Sequence, residues 1–234
     1  MKEHGVEPTV ITYNATISAC VKGGADYTKT ALNLFEELRE KKITPTLITF
    51  SSLISACGKG GGQYVDVALR LFNEMKRIGI DPDEIMYSAI TKTCYANKRY
   101  PEAIEKVKEA VSVGMLSSFE DDSEKWDLHH MREATACMLL ANALITSVHA
   151  ASLRKIQIIT GKGKNSPEGP VLQAKVPAFI RDVAGLELTE HIIEKGEVKE
   201  GRFVITKKVL KKWAKSDDFD RFRALMTGKE REKE

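Results

Sequence analysis

At 234 residues the chain has room for one large domain or two smaller ones. Its hydrophobic (42%) and charged (29%) fractions are ordinary for a globular protein, and a net charge of +3 permits a polyanionic partner without requiring one. No apolar run approaches the roughly 20 residues that a membrane-spanning helix needs, and the N-terminus lacks a basic-then-apolar secretory pattern. Three of the four cysteines, Cys20, Cys57 and Cys94, recur at an interval of 37 residues (57 − 20, 94 − 57). That interval argues for equivalent small buried slots in a repeat. No cysteine has a partner at two-residue spacing, so zinc and a disulfide framework are disfavoured.

The first half of the chain is an array. "VITYNATISACVKGG" from Val10, "LITFSSLISACGKGG" from Leu47 and "EIMYSAITKTCYANK" from Glu84 align, and "TALNLFEELREKKITPT" aligns with "VALRLFNEMKRIGIDPD". Fixed-period similarity on this scale predicts stacked two-helix units. In the second helix of unit two, Ala68, Leu71, Phe72 and Met75 form one apolar stripe, matched in unit one by Ala31, Leu34, Phe35 and Leu38. Glycines at 23–24 and 60–62 separate helices, and Pro45 and Pro82 punctuate their ends. No unit can bury its stripe alone, so neighbours must stack.

These residues resemble the pentatricopeptide repeat family. The expected units are 10–46, 47–83 and a degenerate 84–118, the last lacking the "LF" pair in "AIEKVKEAVSVG". "MKEHGVEPT" matches "MKRIGIDPD", so residues 1–9 are expected to be the end of a truncated repeat. The resemblance implies a reader of single-stranded RNA, one base per unit. The base-reading positions it implies are Asn14 with Thr46, Ser51 with Asp83, and Ser88 with about Ser118. It further implies a guanine preference for Ser51/Asp83 and a pyrimidine preference for Asn14/Thr46. The competing reading is that these are solvated polar residues lining a protein-binding groove.

Beyond an acidic linker at 119–125 the period changes. "KWDLHHM" reads as a short strand and "REATACMLLANALITSVHAA" as a helix with a stripe of Ala134, Met138, Ala141 and Ile145. Next come "KIQIIT" as a buried strand, "VLQAKVPAFIRDVA" as a helix despite Pro177, "LELTEHII" and "GRFVIT" as strands, and "KKVLKKWAKSDDFDRFRALM" as one helix. The expected fold is thus an α-solenoid of helix-turn-helix repeats followed by a small α/β sandwich.

The Gly161-Lys162-Gly163-Lys164-Asn165-Ser166 segment fails the spacing of both a nucleotide P-loop and a dinucleotide fingerprint. Taken with "WDLHHM", however, it resembles the small MutS-related (Smr) domain, whose marks are an L-D-L-H strand end and a T/H-G-x-G loop. Asp127, Leu128 and His129 match the first mark, with Trp126 replacing its leading leucine, and Thr160, Gly161, Lys162 and Gly163 match the second. The domain is expected over 126–215, with a helical tail over 216–234 whose last residues, "GKEREKE", are expected to be disordered. The tail departs from the free-standing bacterial pattern and is similar to the version fused to pentatricopeptide repeats in plants and algae. That fusion implies an organellar protein, the chloroplast ahead of the mitochondrion.

If the two strands are parallel neighbours, their C-terminal ends meet at one crevice. Backbone N–H groups of Gly161 and Gly163, with Lys162 and Lys164, would hold a phosphate there. His129 would transfer a proton, and Asp127 would either orient His129 or hold a metal ion such as Mg2+. The plainer alternative makes Asp127 a cap of the strand end and His129 a structural side chain. In the last helix Lys208, Lys211, Lys212 and Lys215 would form one basic stripe able to follow a phosphate backbone, or simply a solvated face. The functional expectation is a monomeric binder of single-stranded RNA, with DNA left open and no membrane partner. In it the repeats supply the address and the Smr domain an endonucleolytic step. The alternatives are a non-catalytic RNA or DNA adaptor and a protein-interaction scaffold.

Overall fold

The computed structural model describes residues 7–119, 124–149, 153–161, 169–194 and 197–229, with backbone alone over 189–200. Of the truncated repeat expected at the N-terminus, residues 1–6 lie outside the described ones, as do residues 120–123 of the expected linker and 230–234 of the tail. The chain divides into two compact units between Lys106 and Val107, inside a helix.

The first unit is built from helix pairs: α1 (Val10–Gly23) with α2 (Thr28–Glu40), α3 (Leu47–Gly60) with α4 (Val65–Arg77), and α5 (Glu84–Ala96) leading into α6 (Tyr100–Ser112). Helix α3 packs against both α1 and α5, so the first helices of successive units form a row. The predicted stripe of unit two is buried throughout, Ala68, Phe72 and Met75 completely. In unit one Leu34 is only half-buried while Ala31, Phe35 and Leu38 are closed off from solvent. Phe35 meets Phe50 edge-on at 5.6 Å and Phe72 meets Tyr87 at 5.5 Å, so each second helix locks an aromatic ring into the next first helix. Between the two helices of the first two units lie short 3-10 turns, Ala25–Tyr27 and Gly62–Tyr64, each entered through a glycine of positive φ (Gly24 at 97°, Gly61 at 93°).

The cysteines sit where the repeat needs a small apolar group: Cys20, Cys57 and Cys94 are buried and free. Burial pushes the Cys57 and Cys94 thiols up from 9.0 to about 12. Each first helix begins at an extended residue, Thr9, Thr46 or Asp83. The two threonines close capping boxes with Thr12 and Thr49, and the Asp83 carboxylate accepts from the Met86 amide at 2.7 Å.

In the second unit β1 (Lys125–Asp127), β2 (Ile156–Ile159), β3 (Thr189–Glu194) and β4 (Glu197–Ile205) form a sheet in the order β1-β2-β4-β3. β1 and β2 are parallel and the other pairs antiparallel. α7 (Glu133–His149) crosses over between β1 and β2, and α8 (Val171–Asp182) follows β2 with Pro177 inside it. The single stripe expected on α7 is too narrow. Ala134 through Ala141 are buried on every side, since this half of the helix lies inside the domain rather than on its surface.

The single helix expected after β4 is two: α9 (Lys207–Trp213) and α10 (Asp217–Thr227). Ser216 makes the break. Its hydroxyl donates to the Trp213 carbonyl at 2.7 Å, closing α9, and accepts from the Phe219 amide at 3.4 Å, opening α10. Asp217, Asp218 and Asp220 then fall in the first turn of α10, where carboxylates suit the helix dipole. Lys215 consequently lies in the connecting turn, off the helix that carries the other three lysines. Trp213 anchors α9, its indole N–H donating to the Ala184 carbonyl at 2.7 Å. Among the described residues no helix is long and apolar enough to cross a membrane.

Candidate functional site

β1 is short because its last side chain turns the chain. The Asp127 Oδ1 accepts from the His129 amide at 3.0 Å, and Met131 N–H closes onto the Leu128 carbonyl at 2.9 Å. The same Oδ1 lies 2.5 Å from His129 Nδ1. A ring N–H donated to a carboxylate places the proton on Nδ1 and leaves Nε2 as the basic nitrogen. Both side chains face solvent, His129 at 42% and Asp127 at 48% exposure, so the pair is reachable by a ligand. The ring centroid of exposed His130 stands 3.6 Å from that of His129.

The end of β2 comes to the same corner. Asp127 is registered with Ile159, and Leu128 N–H donates to the Ile159 carbonyl at 2.8 Å. Thr160 is buried and tied to β4. Its amide donates to the Gly201 carbonyl at 2.8 Å and its hydroxyl to the same oxygen at 3.2 Å. Gly161 follows with φ of 75°, its backbone against His129. Asp127, His129, Thr160 and Gly161 are thus brought together, whereas Lys162, Gly163 and Lys164 lie outside the described residues. One residue unforeseen in the sequence holds this corner: Gln173, in the first turn of α8, donates to the Gly161 carbonyl at 2.7 Å. Only the fold brings these two together, so no spacing rule would have found the contact.

The lysine stripe is elsewhere. β4 passes the site end of the sheet at Gly201 and leaves at Ile205, which pairs with Ile156 at the start of β2, so α9 begins at the opposite end. Lys208, Lys211 and Lys212 are carried on α9, with Lys215 in the turn beyond. Among the described residues no group of three or more His, Cys, Asp and Glu side chains forms a ligand set. Asp127 has one carboxylate oxygen already engaged, so it offers a metal a single free oxygen and no protein-built cage.

On the repeats, Asn14 and Thr46 meet across 32 positions. Asn14 Nδ2 donates to Thr46 Oγ1 at 3.2 Å, and Thr49 Oγ1 donates to Asn14 Oδ1 at 2.7 Å. Ser51 and Ser88 are half-buried on α3 and α5, and Asp83 is engaged as the α5 cap. A feature not anticipated from sequence is a row of exposed isoleucines at the second place of each unit: Ile11 at 76%, Ile48 at 63% and Ile85 at 58%. Their 37-residue interval was the available signal.

Repeated helix pairs bearing polar residues at unit junctions, followed by an α/β domain whose strand end carries an Asp-His pair beside Gly161, define a helical-repeat protein with a small α/β domain. The model described as the Smr domain matches residues 126–208, the pentatricopeptide repeat domain matches 1–23 and 25–60, and the PPR repeat matches 48–80. The chain carries pentatricopeptide repeats in its N-terminal part and an Smr domain over 126–208. Among solved structures it is similar to the pentatricopeptide repeat protein PPR10 in complex with an 18-nt psaJ RNA element. That likeness has 22% identity and a TM-score of 0.48, over 63% of this chain and 20% of that one. PPR10 from maize is similar at 23% identity and a TM-score of 0.48, over 64% of this chain and 21% of that one. The chain therefore spans about a fifth of the length of those solved chains. Comparison with curated proteins gave no match.

Proposed function

We propose that the chain binds single-stranded RNA along its repeats and cleaves a phosphodiester at the Asp127–His129 corner of its Smr domain. The observation that carries this reading is the Asp127 carboxylate gripping both the amide and the ring Nδ1 of His129 at an exposed strand end. Held in that tautomer, His129 Nε2 takes the proton of an RNA 2′-OH as that oxygen attacks the adjacent phosphorus. The 5′-oxygen then leaves and takes up a proton, giving a 2′,3′-cyclic phosphate and a 5′-hydroxyl. Thr160 and Gly161 lie beside His129, where backbone can lean on the phosphate.

On the repeats, the Asn14–Thr46–Thr49 network supports base reading, because it fixes which way the Asn14 amide presents its remaining donor and acceptor. The exposed Ile11, Ile48 and Ile85 give flat apolar surface on which bases can lie. An organellar setting, the chloroplast ahead of the mitochondrion, rests on the family resemblance alone.

A second reading has its own support. The Asp127 bond to the His129 amide is what a strand-end cap makes, and a domain so built could clamp RNA or DNA without cutting.

The test is incubation of a labelled single-stranded RNA library with the full chain, alongside Asp127→Ala and His129→Ala, with and without magnesium. Metal-independent cutting by the wild type alone, leaving a cyclic phosphate, is the expected result. Metal-dependent cutting with a 5′-phosphate would move Asp127 from orienting His129 to holding the ion. Binding without cutting, or equal cutting by the variants, would leave the clamp.

A further inference from the structure

Both histidines at the end of β1 sit on one tight turn. Met131 N–H donates to the Leu128 carbonyl at 2.9 Å, so His129 and His130 are the two central residues between them. Leu128 is fully buried and pins the start of the turn, while both histidines stand exposed. Their ring centroids are 3.6 Å apart, with the planes tilted by 50°. The two rings are held differently. His129 is tied to Asp127 through its amide and its Nδ1, whereas His130 makes no hydrogen bond to protein among the described residues.

Cleavage by a 2′-OH needs two proton transfers, one at each oxygen of the displacement. His129 Nε2 serves the attacking oxygen. The departing 5′-oxygen is an alkoxide unless something protonates it. Of the other side chains brought to this corner, Asp127 is bonded to His129, the Thr160 hydroxyl donates to Gly201, and the Gln173 amide holds Gly161. Neither a hydroxyl nor an amide gives up a proton near neutral pH, whereas histidine exchanges one in that range. Where metal ions serve the attacking and leaving oxygens of an in-line displacement, they stand about 3.5–4 Å apart. Two imidazoles 3.6 Å apart have the spacing to serve the same two oxygens.

We propose that His130 is the general acid of this site. The O2′–P bond forms as the P–O5′ bond breaks; His129 Nε2 takes the proton of the 2′-OH, and an N–H of the His130 imidazolium gives its proton to the 5′-oxygen. Exchange with water then returns both rings to their starting forms. The proposal rests on the cleavage reading given above and deepens it.

The experiment measures single-turnover cleavage of saturating single-stranded RNA by the full chain without added metal. A second RNA carries sulfur in place of the bridging 5′-oxygen at the bond the wild type cuts. A thiol ionises near pH 8.5, so this leaving group departs without an acid. His130→Ala and His130→Phe are expected to slow cleavage of ordinary RNA about 100-fold and to cut the sulfur substrate at the wild-type rate. His129→Ala should be slow on both, because the 2′-OH still needs a base. His149→Ala, an exposed histidine at the other end of α7, should match the wild type on both. The phenylalanine variant keeps a ring against His129. Full activity of His130→Phe on ordinary RNA would make His130 a packing partner and overturn the acid role, as would equal loss on both substrates. Wild-type cutting that requires metal and leaves a 5′-phosphate also overturns it, because the 3′-oxygen then departs, while cleavage at this corner stands. Failure of the wild type to cut any RNA overturns the cleavage reading and this proposal with it.

Discussion

Gly161 and His129 touch across the end of the sheet: a β-carbon added to Gly161 would stand 2.8 Å from that of His129. Gly161 also has φ of 75°, a conformation that costs other residues about 1–2 kcal/mol. Gly161→Ala must therefore both strain the loop and push the histidine away from Asp127. Cleavage should fall at least tenfold, with roughly 1–3 kcal/mol lost in urea unfolding. Gly169→Ala is the control, since its φ of 73° carries the strain but nothing lies within 4 Å of the added carbon. It should lose about 1 kcal/mol and keep its activity.

The hydroxyl of Thr49 makes three hydrogen bonds where two repeat units meet, one of them with Thr46 Oγ1 at 3.3 Å. It accepts from the Thr46 amide at 2.9 Å in the capping box and donates to Asn14 Oδ1 at 2.7 Å. Thr49→Val keeps the shape and removes all three bonds in a fully buried position. The expected cost is about 1–2 kcal/mol, read as a fall in the first unit's melting temperature by calorimetry. The freed Asn14 amide should also lose its base preference, measured by RNA selection against the wild type.

Raised thiol pKa values make a pH prediction. Cys57 and Cys94 stay protonated in the folded chain up to about 12, whereas an unfolded thiol ionises near 9.0. Below pH 9 the two states bind the same proton, and stability from these groups is fully present. As pH rises from 9 toward 12 the unfolded chain releases protons first, so stability declines. Cys57→Ala should flatten that decline in alkaline urea titrations. All four cysteines are buried, so a thiol reagent at pH 8 should label the native protein slowly and the denatured protein four times.

The lysines of α9 begin at the sheet end away from His129, so they should govern affinity and leave the cleavage step alone. Replacing Lys208, Lys211 and Lys212 with alanine is expected to lower the salt slope of RNA binding by about 2. Single-turnover cleavage of saturating RNA should stay unchanged. A fall in that rate would place the stripe at the scissile phosphate and contradict its position in the fold.

Much of this molecule could be read from local pattern. The 37-residue interval exposed the repeats because each unit must bury the same stripe against its neighbour, and stacking copies that demand along the chain. The Asp127–His129 contact was equally local: a carboxylate two residues before an amide and an imidazole can reach both without help from the rest of the fold. The break between α9 and α10 was also written locally, in Ser216 and the acids after it.

What the tertiary structure alone decided is the meeting of distant groups. Gln173 reaches Gly161 and Gly201 receives Thr160 because of strand order and register. Neither order nor register is encoded by spacing: β4 enters beside β2 ahead of β3, reversing the chain order at the sheet's edge. The same reversal sends the lysine-bearing helix to the far end. Composition and periodicity determine which faces must be buried, whereas the pairing of strands determines which polar groups, free of that demand, end up side by side.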